Sequence, residues 1–133
     1  MISKEREIID MYDDWIRLKQ SGLSLKLYMD KYSINSIAIY GMNKLGYTLL
    51  DELIQCDIDV KYGVDKVLAG KCNGIPVCGP DDLWDKVDAV IVSAFPFFEE
   101  IYPVIQAKLP DAKIISLDVM IKRILIECRQ VKK

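Results

Sequence analysis

One stretch of the chain, residues 36–46, restricts the fold more than any other: it reads Ser-Ile-Ala-Ile-Tyr-Gly-Met-Asn-Lys-Leu-Gly. An apolar run stops at Gly41, and a helical pattern begins at Lys44. This order predicts a buried strand, a tight turn and a helix. The first N–H groups of a helix lack partners inside the helix, and the helix dipole adds positive charge behind them. The turn therefore predicts a binding site for an anion such as a nucleotide phosphate.

The same alternation of strand and helix patterns continues to the end of the chain, which is typical of an α/β domain with a mainly parallel sheet. Short apolar runs predict five strands, at residues 37–40, 60–64, 75–78, 88–93 and 113–117. Helical patterns occupy residues 44–56, 97–109 and the segment after Asp118, and Pro80 opens a brief helix at 80–84. We therefore expect a three-layer domain over residues 35–133. The direction of the third strand stays open, because its connection from the second strand is short for a parallel crossover.

Residues 1–34 precede this domain and predict a helical hairpin. Apolar side chains recur at helical spacing over residues 4–20, and Ser24 is placed to cap a second, shorter helix. We interpret the hairpin in two ways. It is either a lid packed on the edge of the domain or a homodimer interface, to which Tyr12 and Trp15 contribute aromatic area.

Composition and charge exclude several classes of function. The chain has 133 residues, of which 51% are hydrophobic, and this is enough for the core of one domain. A net charge of −2 gives no field that attracts nucleic acid or an anionic membrane. No apolar run reaches the roughly 18–20 residues of a membrane span, and the first residues lack a signal-peptide pattern, so we expect a cytoplasmic location. Without histidine, and with four cysteines that form no CxxC pair, we expect neither a disulfide framework nor a metal site.

The glycine turn matches part of the fingerprint by which dinucleotides are bound. Gly41 and Gly46 occupy its first and third glycine positions, while Asn43 stands where a second glycine lets the backbone approach the pyrophosphate. The side chain of Asn43 weakens the match because it occupies space at this position. Asp65 ends the second strand 19 residues after Gly46. An acid roughly 20 residues on binds ribose hydroxyls in this motif, and the alternative is a simple strand-end turn.

The candidate site follows from the architecture of open parallel sheets, which bind ligands beyond the carboxyl ends of the strands, where the strand order reverses. This point falls between the first and fourth predicted strands. Lys44 offers either a point charge for a phosphate or a solvated surface residue. On the opposite wall, Ser93 either forms a hydrogen bond with the ligand or caps a helix, and Phe95 covers a base or sugar. The candidate cofactor-binding residues are Gly41, Met42, Asn43, Lys44, Gly46, Asp65, Ser93 and Ala94.

These segments resemble the Rossmann-like domains of bacterial polysaccharide and glycan biosynthesis proteins. They are similar to the nucleotide-sugar-binding N-terminal domain of sialic-acid-type sugar acetyltransferases and to CoA-binding-like domains. The resemblance covers roughly residues 36–117 and implies a Rossmann-like fold with NAD(P) or a nucleotide-sugar as ligand. It implies that Gly41, Gly46 and Asp65 hold this ligand. The segments that carry it are residues 37–41, 45–46, 64–65, 74–77 and 88–92.

The sequence is compatible with three functions. The first is a binding module for a nucleotide or nucleotide-sugar, accessory to polysaccharide biosynthesis and without evident catalytic residues. The second is an NAD(P)-dependent oxidoreductase domain, although the sequence singles out no acid or base for it. The third is an interaction scaffold that has kept the fold and lost the ligand, which Asn43 favours.

Overall fold

A computed structural model describes residues 3–67, 70–72 and 74–131 of the chain. Two helices come first, and strands and helices then alternate. The elements in chain order are α1 (Lys4–Gln20), α2 (Lys26–Lys31), β1 (Ser36–Tyr40), α3 (Lys44–Gln55), β2 (Asp59–Val64), β3 (Gly70–Cys72), β4 (Ile75–Cys78), β5 (Ala89–Val92), α4 (Phe98–Lys108), β6 (Lys113–Ser116) and α5 (Leu117–Val131). A 3₁₀ turn at Phe95–Phe97 leads into α4.

The strands form one sheet in the order β3-β4-β2-β1-β5-β6. Five of them, β1, β2, β4, β5 and β6, run parallel, so the predicted parallel strands are confirmed. The third predicted strand, β4, pairs parallel with β2, which settles its direction. The sequence prediction missed β3, an antiparallel strand at the outer edge of β4. The expected brief helix at residues 80–84 was wrong, because the chain there forms turns and irregular structure.

Helices cover both faces of the sheet, which gives the three layers expected from the sequence. The chain leaves β1 through α3 towards β2 on one side and leaves β5 through α4 towards β6 on the other, so the strand order reverses between β1 and β5. On one face, side chains such as Ile37 and Ile39 pack beneath α1, α3 and α5. On the other face, Ala38 and Val90 pack beneath α4 and the connection 79–88. No helix in the described part of the chain is both long and apolar enough to span a bilayer.

The two N-terminal helices share a core with the sheet. Met11, Trp15 and Leu18 of α1 and Met29 of α2 are buried in the same apolar cluster as β1 and β5. The side chain of Trp15 is therefore buried within the chain itself. The homodimer stays a prediction.

A buried carboxylate ties these helices to α3. Oε1 of Glu52 accepts a hydrogen bond from the indole N–H of Trp15 at 2.7 Å. Its Oε2 accepts one from the backbone N–H of Leu25 at 3.1 Å. Leu25 is at the N-cap position of α2, and no side chain of its own segment caps the helix there. The expected cap at Ser24 was therefore wrong. Glu52, which belongs to α3, accepts the backbone N–H at this end of α2 instead.

Candidate ligand-binding site

A cleft of about 730 Å³ opens at the carboxyl ends of four parallel strands. Its floor and walls come from the residues that follow β1, β2, β4 and β5, and from one side of α4. The switch point between β1 and β5 lies within it, as the sequence analysis expected. The lining residues are Tyr40, Gly41, Asn43, Val64, Asp65, Lys66, Pro80, Asp81, Ala94, Phe97, Glu100, Ile101, Val104, Ala107 and Lys108.

The glycine turn after β1 has the geometry that its two glycines require. Gly41 has φ +101°, a conformation that side chains other than glycine rarely adopt, and a Cβ there would meet Oγ of Ser93 at 2.6 Å. A Cβ on Gly46 would collide with the carbonyl oxygen of Gly41. Gly46 therefore lets α3 approach the end of β1 closely, which is the role of the third glycine in the dinucleotide fingerprint.

Asp65 lies in the cleft with its carboxylate on the backbone of the glycine turn. Its Oδ2 accepts the N–H of Met42 at 2.8 Å, and its Oδ1 accepts the N–H of Val67 at 2.9 Å. The acid therefore forms a turn within its own segment and also braces the turn after β1. A carboxylate accepts hydrogen bonds and donates none, so a ligand group that bonds to Asp65 must be a donor such as a hydroxyl group.

The other residues of the turn have structural roles. Asn43 is the N-cap of α3, and its side-chain oxygen accepts the N–H of Leu45 at 3.2 Å. The side chain of Met42 is fully buried and packs close to Gly63 of β2. Lys44 is exposed at the first position of α3 and does not line the cleft.

Of the three residues predicted for the opposite wall, Ser93, Ala94 and Phe95, only Ala94 lines the cleft. Ser93 is buried, and its hydroxyl donates to the carbonyl oxygens of Gly41 at 2.5 Å and Tyr40 at 3.2 Å. Ser93 therefore stabilises the backbone of the glycine turn. Ala94 lines the cleft, whereas Phe95 is buried in the core on the α1 face. The predicted covering role of Phe95 was wrong, and Phe97, 41% exposed, is the aromatic residue on this wall.

Most of the remaining lining is apolar. Phe97, Ile101 and Val104 on the α4 side face Val64 and Tyr40 at the ends of the strands. Burial, followed by the negative charge of Asp65, raises the pKa of the Tyr40 phenol above its ordinary value. The phenol is therefore uncharged at neutral pH and can both donate and accept a hydrogen bond.

Sequence reasoning identified the turn and Asp65 but missed the α4 side of the cleft, including Phe97, Glu100 and Lys108. The available signal was the helical spacing of Phe97, Ile101 and Val104, which places their side chains on one side of a helix. That spacing does not show which layer the helix packs on. No group of three or more metal-binding side chains comes together among the described residues.

The fold and the cleft define a class of protein: an α/β domain with a mainly parallel sheet and a cleft of about 730 Å³ at its switch point. Comparison with known protein families, with characterised proteins and with solved structures gives no significant match to this chain.

Proposed function

We propose that this protein is a binding module for a small nucleotide-type ligand, which occupies the cleft at the switch point. The observation that carries the proposal is the position of the cleft, which spans the carboxyl ends of four parallel strands and includes Asp65. Open α/β sheets bind their ligands at this position. The volume of about 730 Å³ also falls within the roughly 300–1,000 Å³ of small-molecule sites.

The lining supports a ligand with a flat apolar part and a polar hydroxyl-bearing part. Phe97, Ile101 and Val104 offer an apolar wall for a base, and the carboxylate of Asp65 accepts hydrogen bonds from sugar hydroxyls. NAD(P) and nucleotide-sugars both belong to the class of ligand proposed here. A role beside polysaccharide biosynthesis rests on the sequence resemblance and belongs to the same proposal.

A ligand panel tests the proposal, with thermal unfolding measured in the presence of nucleosides, nucleotides, NAD(P) and nucleotide-sugars. A ligand at a hundred times its dissociation constant stabilises the native state by about 2.7 kcal/mol, so binding raises the melting temperature. We expect at least one member of the panel to do so. A flat response throughout the panel at millimolar concentration would refute the proposal and favour the interaction scaffold.

A matched pair of variants locates the binding site. Val104 in α4 is 39% exposed and lines the cleft, whereas Val119 in α5 is 47% exposed and lies outside it. We expect Val104→Arg to reduce the thermal shift because a longer, charged side chain replaces part of the apolar wall of the cleft. Val119→Arg should preserve the shift. Equal responses of the two variants would place the binding site elsewhere.

A further inference from the structure

We infer that the ligand of the cleft is nucleoside-like and carries no diphosphate at the glycine turn. The inference rests on the proposed function and narrows it. Nicotinamide dinucleotides and nucleotide-sugars contain a diphosphate, so the inference excludes them. It favours nucleosides and nucleosides with uncharged substituents.

A diphosphate bound at the glycine turn needs the N–H groups of that turn as donors. The N–H of Met42 already donates to Oδ2 of Asp65, and the N–H of Leu45 donates to the side-chain oxygen of Asn43. Oxygen atoms of the chain itself therefore already accept from two N–H groups of the turn. A diphosphate that used either of these N–H groups would have to displace the side chain that accepts from it.

The charge of the cleft also disfavours a diphosphate. The cleft is lined by the carboxylates of Asp65, Asp81 and Glu100 and by the ammonium groups of Lys66 and Lys108, so its lining is net negative. A diphosphate brought to the turn would lie beside the carboxylate of Asp65, and like charges about 4 Å apart repel strongly in a partly buried site.

Of the two cations in the lining, Lys66 and Lys108, the second is engaged elsewhere. The ammonium group of Lys108 donates to the backbone carbonyl of Asp82 at 2.7 Å and lies 5.5 Å from the centre of the Trp84 ring. To reach a phosphate, Lys108 would have to give up both contacts. Lys44, the cation nearest to the turn in sequence, does not line the cleft.

The same lining suits an uncharged ligand with hydroxyl groups. The carboxylate of Asp65 is fixed by two backbone N–H groups, and a carboxylate is an acceptor that matches the hydroxyl donors of a sugar. The uncharged phenol of Tyr40 and the apolar side chains of Phe97 and Val104 complete a surface for a sugar and a base.

Two series of ligands test the inference on the native protein: uridine, UMP and UDP, and adenosine, AMP and ADP. Dissociation constants are measured by calorimetry at fixed ionic strength without divalent cations. In the series that binds, we expect the nucleoside diphosphate to bind at least about tenfold more weakly than its nucleoside, because of the charge repulsion. A diphosphate that binds more tightly than its nucleoside would overturn the inference and leave the proposed function intact. If no member of either series binds, and NAD(P) and nucleotide-sugars fail as well, the proposed function fails.

Two variants that each lack one carboxylate charge test whether Asp65 is the group that disfavours a diphosphate. Asp65→Asn removes the charge at the turn, and Asp81→Asn removes one at the rim of the same cleft. With inorganic diphosphate as the probe, we expect Asp65→Asn to bind about tenfold more tightly than the native protein, and Asp81→Asn to bind as the native protein does. Equal affinities of both variants and the native protein for inorganic diphosphate would overturn the inference. The calorimetric series on the native protein decides the question if Asp65→Asn does not fold.

Discussion

Glu52 joins three elements through one side chain. It belongs to α3, its carboxylate is 7% exposed, and it accepts hydrogen bonds from Trp15 of α1 and from Leu25 before α2. The ammonium group of Lys19 lies 3.7 Å away and supplies the compensating charge. Buried hydrogen bonds to a charged group contribute more than ordinary ones, so this residue adds to the apolar contacts that attach the N-terminal helices.

We expect Glu52→Ala to lower the free energy of unfolding by about 3 kcal/mol, because the substitution leaves two buried donors without partners. The matched control is Gln55→Ala on the same helix, where the side chain is exposed and the expected change is below about 0.5 kcal/mol. Urea unfolding followed by tryptophan fluorescence measures both. A loss of less than about 1 kcal/mol in Glu52→Ala would show that the carboxylate is dispensable.

Tyr62 gives the stability a defined pH dependence. Its hydroxyl donates to the backbone carbonyl of Asp85 at 2.7 Å, and burial raises the pKa of the phenol well above its ordinary value. Below about pH 10 the phenol is protonated in both the native and the unfolded states, and its full contribution to stability is present. At higher pH the unfolded state loses the proton first, so stability falls as pH rises.

We therefore expect the free energy of unfolding to decrease above about pH 10, and to decrease less steeply in Tyr62→Phe, which cannot ionise at this position. Denaturant unfolding at a series of pH values between 8 and about 11 measures the two slopes, and absorbance of tyrosinate follows the ionisation. Identical slopes in the native protein and the variant would contradict the assignment to Tyr62.

At the level of single residues, the sequence predicts what local rules determine. The roles of Gly41 and Gly46 in the turn follow from the fingerprint, and the place of Asp65 in the cleft follows from its distance along the chain. Ribose binding by Asp65 stays a prediction. Glu52 could not be found this way, because its hydrogen-bond partners lie 37 and 27 residues away in sequence. Which of Phe95 and Phe97 lines the cleft depends on the direction of a 3₁₀ turn, and the composition of the segment does not reveal that direction.

At the scale of elements, the connection from β4 to β5 (residues 79–88) contains no helix, and side-chain hydrogen bonds stabilise it. Oδ2 of Asp82 accepts the N–H of Gly79 at 2.6 Å, and the indole N–H of Trp84 donates to the carbonyl of Gly79 at 3.1 Å. Local bonds of this kind compete with helical ones. The ring of Trp84 then lies edge-on to Tyr40, with 6.2 Å between the ring centres.

We expect Trp84→Ala to lower the free energy of unfolding by about 2 kcal/mol, since the half-buried ring is lost from the α4 face of the core. Leu83→Ala is the matched control, because Leu83 is 98% exposed, and its expected change is below about 0.5 kcal/mol. Equal stabilities of the two variants would show that the ring does not hold the connection.

Element prediction succeeded where hydrophobic periodicity is strong. The five parallel strands and the helices α1, α3, α4 and α5 all follow from apolar spacing. Strand β3 was missed because it is short and lies at an edge, where burial imposes no regular pattern. The helix expected at residues 80–84 failed because proline and acidic residues suit a helix start and a turn equally well.

For the whole molecule, the shared core makes the N-terminal helices part of the folding unit. Met11, Trp15 and Leu18 are all less than 5% exposed and pack in the cluster that also contains Ile39 and Ile91 of the sheet. Removing these helices would bring a large apolar surface into contact with water.

We expect a shortened chain that begins at residue 34 to lose its cooperative thermal transition and to aggregate, as measured by calorimetry and light scattering. Burial of one large apolar side chain contributes roughly 1.5–3 kcal/mol, and several are lost together. A shortened chain that melts cooperatively near the native temperature would show that residues 34–133 fold alone.

The connection 79–88 has one more consequence. A doubly wound sheet usually carries several helices on each face, but among the described residues the face below Tyr40 carries only α4. The cleft lies beside α4 and is bordered by this connection, of which Pro80 and Asp81 are in the lining. The path of the connection is therefore one determinant of the shape of the cleft. We expect insertions or deletions in it to widen or narrow the cleft from one side while the strands stay in place.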